Sequence, residues 1–406
     1  MSVNTGFQSK RTIALGMVIG TGGLTYFGIV PIVLGGLLSS GRIDAAQLGW
    51  AATAETIFTA AGLLLGIKLL GPSSSRWIVV LAGLIMAAAN LLTLVAPDIW
   101  QILAVRSVAG MSQGVLVAVA ALSIAFSSIP ARLSGIFLAV SVPPPLFLAY
   151  YLPSALMPRF GSSAGFATLA FIGAICALCA LFIRDDFALK LRESRNRIRW
   201  TLPTVSALVG ILLSSAGFGA AWAYVDPLGA SHNLLPSQIG LAVSAAIVGQ
   251  FVVSTLVAVI GWRLPMLMTL LVVSGVQIAI PILMLASGTP LSFVLVLTAF
   301  GLLWQGASPF ATGLLAALDD SRMLAPLTFP LQLVGLAVGP LAASAVAGTD
   351  IALVLIIASG FYAITFLAYL LVMYKTARSG IVLPKTVEEE VVAQPGPILA
   401  QASSPQ

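Results

Sequence analysis

Charge is what this chain has least of. Only 8% of its 406 residues are Asp, Glu, Lys or Arg, against about 25% in an ordinary soluble domain. It has one histidine and two cysteines. One imidazole with scattered acids supplies neither a nucleophile–base arrangement nor a metal cluster, so an intramembrane enzyme is excluded and no cofactor or metal is expected. Cys176 and Cys179 have C-x-x-C spacing. They lie in an apolar run with no acidic or histidine neighbour, so they read as small core residues rather than a redox or zinc pair. His232 falls in a short loop. No G-x-x-x-x-G-K-[ST] run is present, which argues against pumping driven by ATP bound to this chain. Apolar sequence is what remains: 59% of the chain is hydrophobic. No soluble fold hides that much apolar surface. The fold class is therefore an all-α polytopic membrane protein. The net charge of +6 does not point to nucleic acid, because the basic residues are spread over short loops between apolar runs.

A span needs about 20 apolar residues. The runs predict twelve spans: 12–38, 47–70, 77–96, 100–126, 132–156, 164–183, 202–228, 238–261, 265–287, 291–316, 323–347 and 351–374. The first follows Lys10 and Arg11 and is too long for a signal-peptide core. The stretch 184–201 carries Arg184, Lys190, Arg192, Arg195, Arg197 and Arg199 and divides the chain six and six. The expected organisation is an N-terminal bundle over 1–183, a basic cytoplasmic linker over 184–201, a C-terminal bundle over 202–375 and a polar, disordered tail over 376–406. With the N-terminus inside, sixteen of the 19 Lys and Arg fall on the cytoplasmic side. Arg42 and Arg159 fall outside and Arg106 within a span. This asymmetry places both termini in the cytoplasm of a multi-pass inner-membrane protein.

Arg106 is the residue that most needs explaining. A charge at mid-membrane costs about 2.5–3.5 kcal/mol on insertion scales, so Arg106 must face protein or a water-filled cavity. Gly110 and Gly114 follow at four and eight residues on the same helical face, where they admit a close neighbour. Glu55 is the other charge certain to lie deep in an apolar run. A rise of about 1.5 Å per residue puts both some 9–12 Å below the outer rim, so a pair between the second and fourth helices is possible. Burial disfavours a charged carboxylate and a guanidinium favours it. A carboxyl held between those influences can exchange a proton when helices separate; a static pair that fixes packing is the other reading. Thr59, Gly62 and Gly66 continue the face of Glu55.

The two halves repeat weakly. Gln47-Leu48-Gly49 opens the second helix and Gln238-Ile239-Gly240 opens the eighth, 191 residues on. Gln113-Gly114 in the fourth matches Gln305-Gly306 in the tenth, 192 residues on. Ala246 stands where the repeat would put Glu55. Near-equal offsets at corresponding helices of like orientation make a parallel repeat about an axis along the membrane normal. Tyr26, Gln113, Gln250, Trp304, Gln305 and Gln332 fall near mid-membrane by the same count.

With twelve spans and this repeat, the chain resembles the major facilitator superfamily. The residues that carry the resemblance are Arg106-x-x-x-Gly110-x-x-x-Gly114 in the fourth helix and Gly335-x-x-x-Gly339-Pro340 in the eleventh. The latter is similar to the element of drug–proton antiporters that more usually lies in the fifth helix, where this chain has Pro143-Pro144-Pro145. The loop after the second helix, Gly66 to Arg76, has no acidic residue and departs from the family's charged loop motif. The resemblance implies two six-helix bundles about a central cleft lined by the first, fourth, seventh and tenth helices. It therefore implies Tyr26, Gln113, Trp222, Tyr224, Trp304 and Gln305 as substrate-binding residues. Gly110, Gly114, Gly335, Gly339 and Pro340 are the packing and gating residues. Amides and aromatic rings suit a partly apolar ligand held by a few directed hydrogen bonds.

The expected function is secondary active transport of a small organic molecule by alternating access, with proton-coupled efflux. Glu55, Arg106 and Asp226, which precedes Pro227 near the outer end of the seventh helix, are the candidate coupling residues. Proton-coupled uptake of a small organic acid held by Arg106 is an alternative. A transport-inactive interaction or sensor protein on the same scaffold is another. The expected partners are a small-molecule substrate, a proton and the lipid bilayer, with no nucleic acid, and the chain is expected to act as a monomer.

Overall fold

The structure, a computed structural model, describes residues 10–70, 75–125, 130–183, 200–260, 263–319, 324 and 327–379. Inside a bilayer every backbone polar group must be satisfied within the segment, so long apolar runs become helices. Eleven helices among the described residues are long and apolar enough to cross a membrane. The first four crossings are α1 (Lys10–Ser39), α2 (Ala45–Leu69), α3 (Ser75–Val95) and α4 (Ile99–Ala125). The sixth is α8 (Ser163–Ala180), preceded by the fifth in pieces. The C-terminal half holds α9 (Leu202–Ala223), with the short α10 (Val225–Ser231) after it, then α11 (Pro236–Ile260), α12 (Met266–Leu285), α13 (Pro290–Leu318), α14 (Thr328–Ala347) and α15 (Ile351–Ser379). Most of the basic stretch 184–201, with Arg184, Lys190, Arg192, Arg195, Arg197 and Arg199, lies outside the described residues. So does the tail from 380 onward. Residues 376–379, expected to begin the tail, continue α15.

The expected single fifth helix over 132–156 is not what forms. The crossing is built from α5 (Pro130–Ser141), α6 (Pro143–Tyr151), a π-helical turn over Leu152–Leu156 and α7 (Met157–Phe160). Pro143, Pro144 and Pro145 are the cause. Proline has no N–H to donate and its ring clashes with the carbonyl of the preceding turn, so three in a row cannot continue α5. The first turn of a helix needs no such donors, and α6 starts there. The seventh crossing also ends earlier than expected: α9 stops at Ala223, and Tyr224 (φ −104°, ψ 14°) leads into α10. Pro227 sits in the first turn of α10.

The Gln-x-Gly repeat has a physical meaning. Gln47 accepts a hydrogen bond from the backbone N–H of Asp44 at 3.1 Å, while the Asp44 side chain accepts from the Gln47 N–H at 2.8 Å, a capping box. Gln238 accepts from the N–H of Leu235 at 2.9 Å at the corresponding entry to α11. Two residues on, Gly49 lies against the Pro340 carbonyl of α14, and Gly240 lies against the Ala149 carbonyl of α6. Each glycine thus lets a helix of one half meet a helix of the other.

The hydrophobic core is divided unequally along the membrane normal. At the end away from the chain termini one cluster runs through both halves, from Tyr26, Leu34 and Leu48 to Phe218, Tyr224 and Phe293. Toward the termini there are two. One belongs to the N-terminal half, around Leu63, Met86, Val119 and Cys176, and α14 joins it from the other half through buried Leu333 and partly buried Val334 and Leu336. The other lies wholly in the C-terminal half, around Ile211, Leu270, Phe310 and Tyr369. The halves share one core at one end; toward the other their cores separate, with α14 still packed on α2 and the N-terminal cluster.

Candidate functional site

The seal at the joined end is polar as well as apolar. Tyr224 donates its hydroxyl to the Ala45 carbonyl at 2.9 Å, and Trp222 donates its indole N–H to the Phe27 carbonyl at 3.0 Å. Thr53 of α2 donates to the Ala337 carbonyl of α14 at 2.8 Å, and Ser244 of α11 to the Leu146 carbonyl of α6 at 3.2 Å. Asp226, three residues past the end of α9, sets its carboxylate against Gly35 of α1. Burial raises its carboxyl to about 6.

Below this seal lies a cavity of about 830 Å³. It extends toward the termini, as far as Phe329 in the first turn of α14 and Val257 near the end of α11. The N-terminal half lines it with Leu24, Phe27, Gly28 and Val30 of α1, Ala52 and Thr56 of α2, and Ser141, Val142 and Pro145 of the broken fifth crossing. The C-terminal half lines it with Phe218 and Trp222 of α9, Gln250 of α11, Trp304, Gln305 and Ser308 of α13, and Gln332 and Pro340 of α14, among others. Three of these rings stack. Phe218 lies 4.1 Å from Trp304 and 5.3 Å from Trp222 between centroids, with interplanar angles of 14° and 20°. Phe300 adds a fourth ring, 4.8 Å from Phe218. Gln332 donates to the Ser308 hydroxyl at 2.9 Å.

A second polar centre lies inside the N-terminal half, away from the cavity lining. Arg106 and Glu55 are both fully buried, with Arg106 Nε 3.5 Å from Glu55 Oε2. Neither of those two atoms makes a hydrogen bond, so the pair is held mainly by its Coulomb attraction. The other guanidinium nitrogens donate to Asn90 Oδ1 at 3.1 and 3.3 Å. Gln113 donates to Glu55 Oε1 at 2.8 Å. The guanidinium lies 4.9 Å from the ring centroid of Phe166 and 5.8 Å from that of Tyr26. The Tyr26 hydroxyl faces the Glu55 carboxylate. Backbone contact makes this possible. Gly110 and Gly114 of α4 lie on the Glu55 and Thr59 carbonyls of α2, and Gly62 of α2 lies on the Met111 carbonyl of α4.

The residues singled out in the sequence thus separate into groups. Trp222, Trp304 and Gln305 line the cavity together, with Pro340 above them. Tyr26 and Gln113 join Glu55 and Arg106 instead, because the glycine face of α4 is turned onto α2 and carries Gln113 with it. As a result α4 contributes nothing to the lining described here, which comes from α1, α2, α5, α6, α9, α11, α13 and α14. Tyr224 belongs to the seal. Gly335 and Gly339 lie on the Leu212 and Ala216 carbonyls of α9, the close helix contact of the C-terminal half. Sequence reasoning missed Asn90 and Phe218. A lone asparagine in an apolar span was one signal. The other was a pair of aromatic i, i+4 sets, Phe218/Trp222 and Phe300/Trp304, on two helices.

No family model matches the sequence, and none of the curated proteins matches it. Solved structures do match in fold. The nucleoside transporter NupG superposes with a TM-score of 0.69 at 12% identity, over 90% of this chain and 99% of that one. A bacterial homologue of the human lysosomal transporter Spinster, inward-facing and unoccupied, gives 0.68 at 13% identity over 93% and 99%. The human organic anion transporter MFSD10 gives 0.60 at 15% identity over 89% and 99%. The chain has the major facilitator fold.

Proposed function

We propose that this protein is a secondary active transporter that moves a small organic molecule across the membrane by alternating access. The observation that carries the reading is the unequal core: one shared hydrophobic cluster closes one end, while two separate clusters flank a cavity at the other. Exchange of which end is joined would expose the same cavity to the opposite side. The distribution of basic residues supports an orientation in which the open end faces the cytoplasm and the closed end is the outer one.

The coupling we assign is to protons, through Glu55 and Arg106. Their 3.5 Å pair lacks a direct hydrogen bond, so a shift of α4 along α2 would loosen it and let Glu55 take a proton. Asp226 at the outer seam is the second candidate. We assign the direction to efflux, since the uncharged, largely apolar cavity suits an amphipathic compound better than a charged metabolite. Uptake of an organic acid on Arg106 is less well supported, because the guanidinium is occupied by Asn90 and Glu55 and does not line the cavity. The test is transport in proteoliposomes under an imposed pH gradient. Wild-type protein is expected to accumulate substrate against its gradient. Glu55→Gln is expected to abolish that accumulation while retaining exchange at equal pH. A well-folded Glu55→Gln that still accumulates substrate would remove Glu55 from the coupling. Vesicles that carry no flux of any compound would favour a transport-inactive protein on this scaffold.

A further inference from the structure

The groups that could recognise a ligand are shared unequally between the halves. Among the described residues, no side chain lining the cavity is charged or titratable. The buried ion pair lies elsewhere. A charged ligand entering this space would lose its hydration with no counter-charge to replace it. The N-terminal half offers the cavity mostly aliphatic side chains, the ring of Phe27 and the hydroxyls of Thr56 and Ser141. The aromatic stack and all three lining amides come from the C-terminal half: Phe218, Trp222 and Trp304, with Gln250, Gln305 and Gln332.

The stack has a defined plane. Phe218 is nearly parallel to both indoles, within 20°, and is itself only 3% exposed. Trp304 is half-buried and lines the cavity. A flat ring laid on Trp304 extends the stack by one member. A puckered ring of equal volume loses that contact. The amides supply paired donors and acceptors at its edge, which suit a neutral polar edge such as a carboxamide or a ring lactam. A space of 830 Å³ is at the upper end of the range for small-molecule sites, so two or three fused rings fit.

Resting on the transporter reading above, we propose that the cargo is an uncharged, flat, fused-ring molecule with a carboxamide-like edge. It is bound by the C-terminal half through Trp304 and Gln250, Gln305 and Gln332. The buried charges of the N-terminal half, Glu55 and Arg106, then lie outside the cargo's contact surface.

Four tricyclic probes of similar outline test this: acridine-9-carboxamide (neutral), acridine-9-carboxylate (anion), 9-aminoacridine (cation) and a perhydrogenated anthracene carboxamide (neutral but puckered). Each is equilibrated with full-length protein in nanodiscs, and partition into empty nanodiscs is subtracted. The flat amide is expected to bind at least about tenfold more tightly than each of the others, the anion and cation failing by desolvation and the puckered amide by lost stacking. Trp304→Leu should weaken the flat amide about tenfold, and Trp304→Phe should restore most of it. Unsubstituted acridine, a fifth probe, should bind more weakly than the flat amide, and the double change Gln305→Leu, Gln332→Leu should erase that difference. Replacing Phe147, 60% exposed on the outer surface, with leucine should change nothing and reports on handling of variants. Equal or tighter binding of either ion, indifference to planarity, no effect of Trp304→Leu, or no binding of the flat amide would each overturn the proposal. Counterflow in proteoliposomes separates the two readings. If the flat amide fails but a charged compound exchanges, the cargo class is wrong and transport stands. If the flat amide binds with the stated preferences but no compound exchanges, the site stands and transport falls.

Discussion

The two halves use one helix contact to different ends. In the N-terminal half Gly110 of α4 lies on the Glu55 carbonyl of α2; 191 residues on, Gly301 of α13 lies 3.0 Å, measured from an added Cβ, from the Ala246 carbonyl of α11. The backbone arrangement repeats. The side chains do not. Glu55 and Arg106 of the first half correspond at that offset to Ala246 and Leu297, both fully buried. Gln113 turns inward to Glu55, whereas Gln305 lines the cavity. The repeated scaffold has thus kept its contacts and divided its chemistry, with the buried ion pair in one half and the stacked rings and amides that line the cavity in the other. Tight α2–α4 packing is what lets the charges be buried together, since it brings Glu55 and Arg106 onto adjoining faces.

Writing the C-terminal pattern into the N-terminal half should break this contrast most strongly. Arg106→Ala alone leaves Glu55 buried without its partner and should cost about 3–5 kcal/mol, seen as a large fall in thermal unfolding temperature in detergent. The double change Glu55→Ala, Arg106→Leu removes both charges and should recover most of that loss, while proton-driven accumulation stays absent. A double variant as unstable as the single one would mean that the pair is not what makes Arg106 costly to lose.

The glycine contacts give the next largest difference. A methyl group at Gly110 would strike the backbone of Glu55, whereas at Gly301 the nearest atoms are the Ala246 carbonyl and the movable Gln250 side chain, both at 3.0 Å. Gly110→Ala should therefore cost about 2–3 kcal/mol and Gly301→Ala under about 1. Equal losses would show that the two contacts are equally tight.

Asp226 offers a smaller, pH-dependent effect at the seam between the halves. Its carboxyl is raised to about 6, so the sealed state holds its proton more firmly than a hydrated state would. The seal is strongest below the ordinary carboxylate range and weakens as pH rises through 6. A cysteine at buried Leu34, with Cys176 and Cys179 replaced by alanine, should label a few-fold faster at pH 7.5 than at pH 5. Asp226→Asn should flatten that response. Labelling that slows as pH rises would contradict the assignment.

Much of this was legible in the chain itself. Apolar runs of sufficient length fix helices in a bilayer, and eleven of the long helices follow from them. The exception followed from three consecutive prolines, whose effect is local and could be read at Pro143–Pro145. The Glu55–Arg106 pair was accessible because two charges deep in neighbouring apolar spans have few other ways to be satisfied. Asn90 as its third member was not, because an asparagine in a span has many partners to choose from.

What the sequence determined by itself was eleven long apolar spans, the weak repeat, and the depth of one acid and one base in neighbouring spans, since each depends on hydropathy, spacing or charge along the chain. What only the tertiary structure decided was rotation about helix axes. Gln113 and Gln305 occupy matching places in the repeat, yet one meets a carboxylate and the other a cavity. That outcome depends on how closely α4 and α13 approach α2 and α11, and so on which face of each is turned away from the cleft. Hydropathy carries no such information, because a helix apolar on nearly every side has no strong preferred direction until its neighbours pack against it.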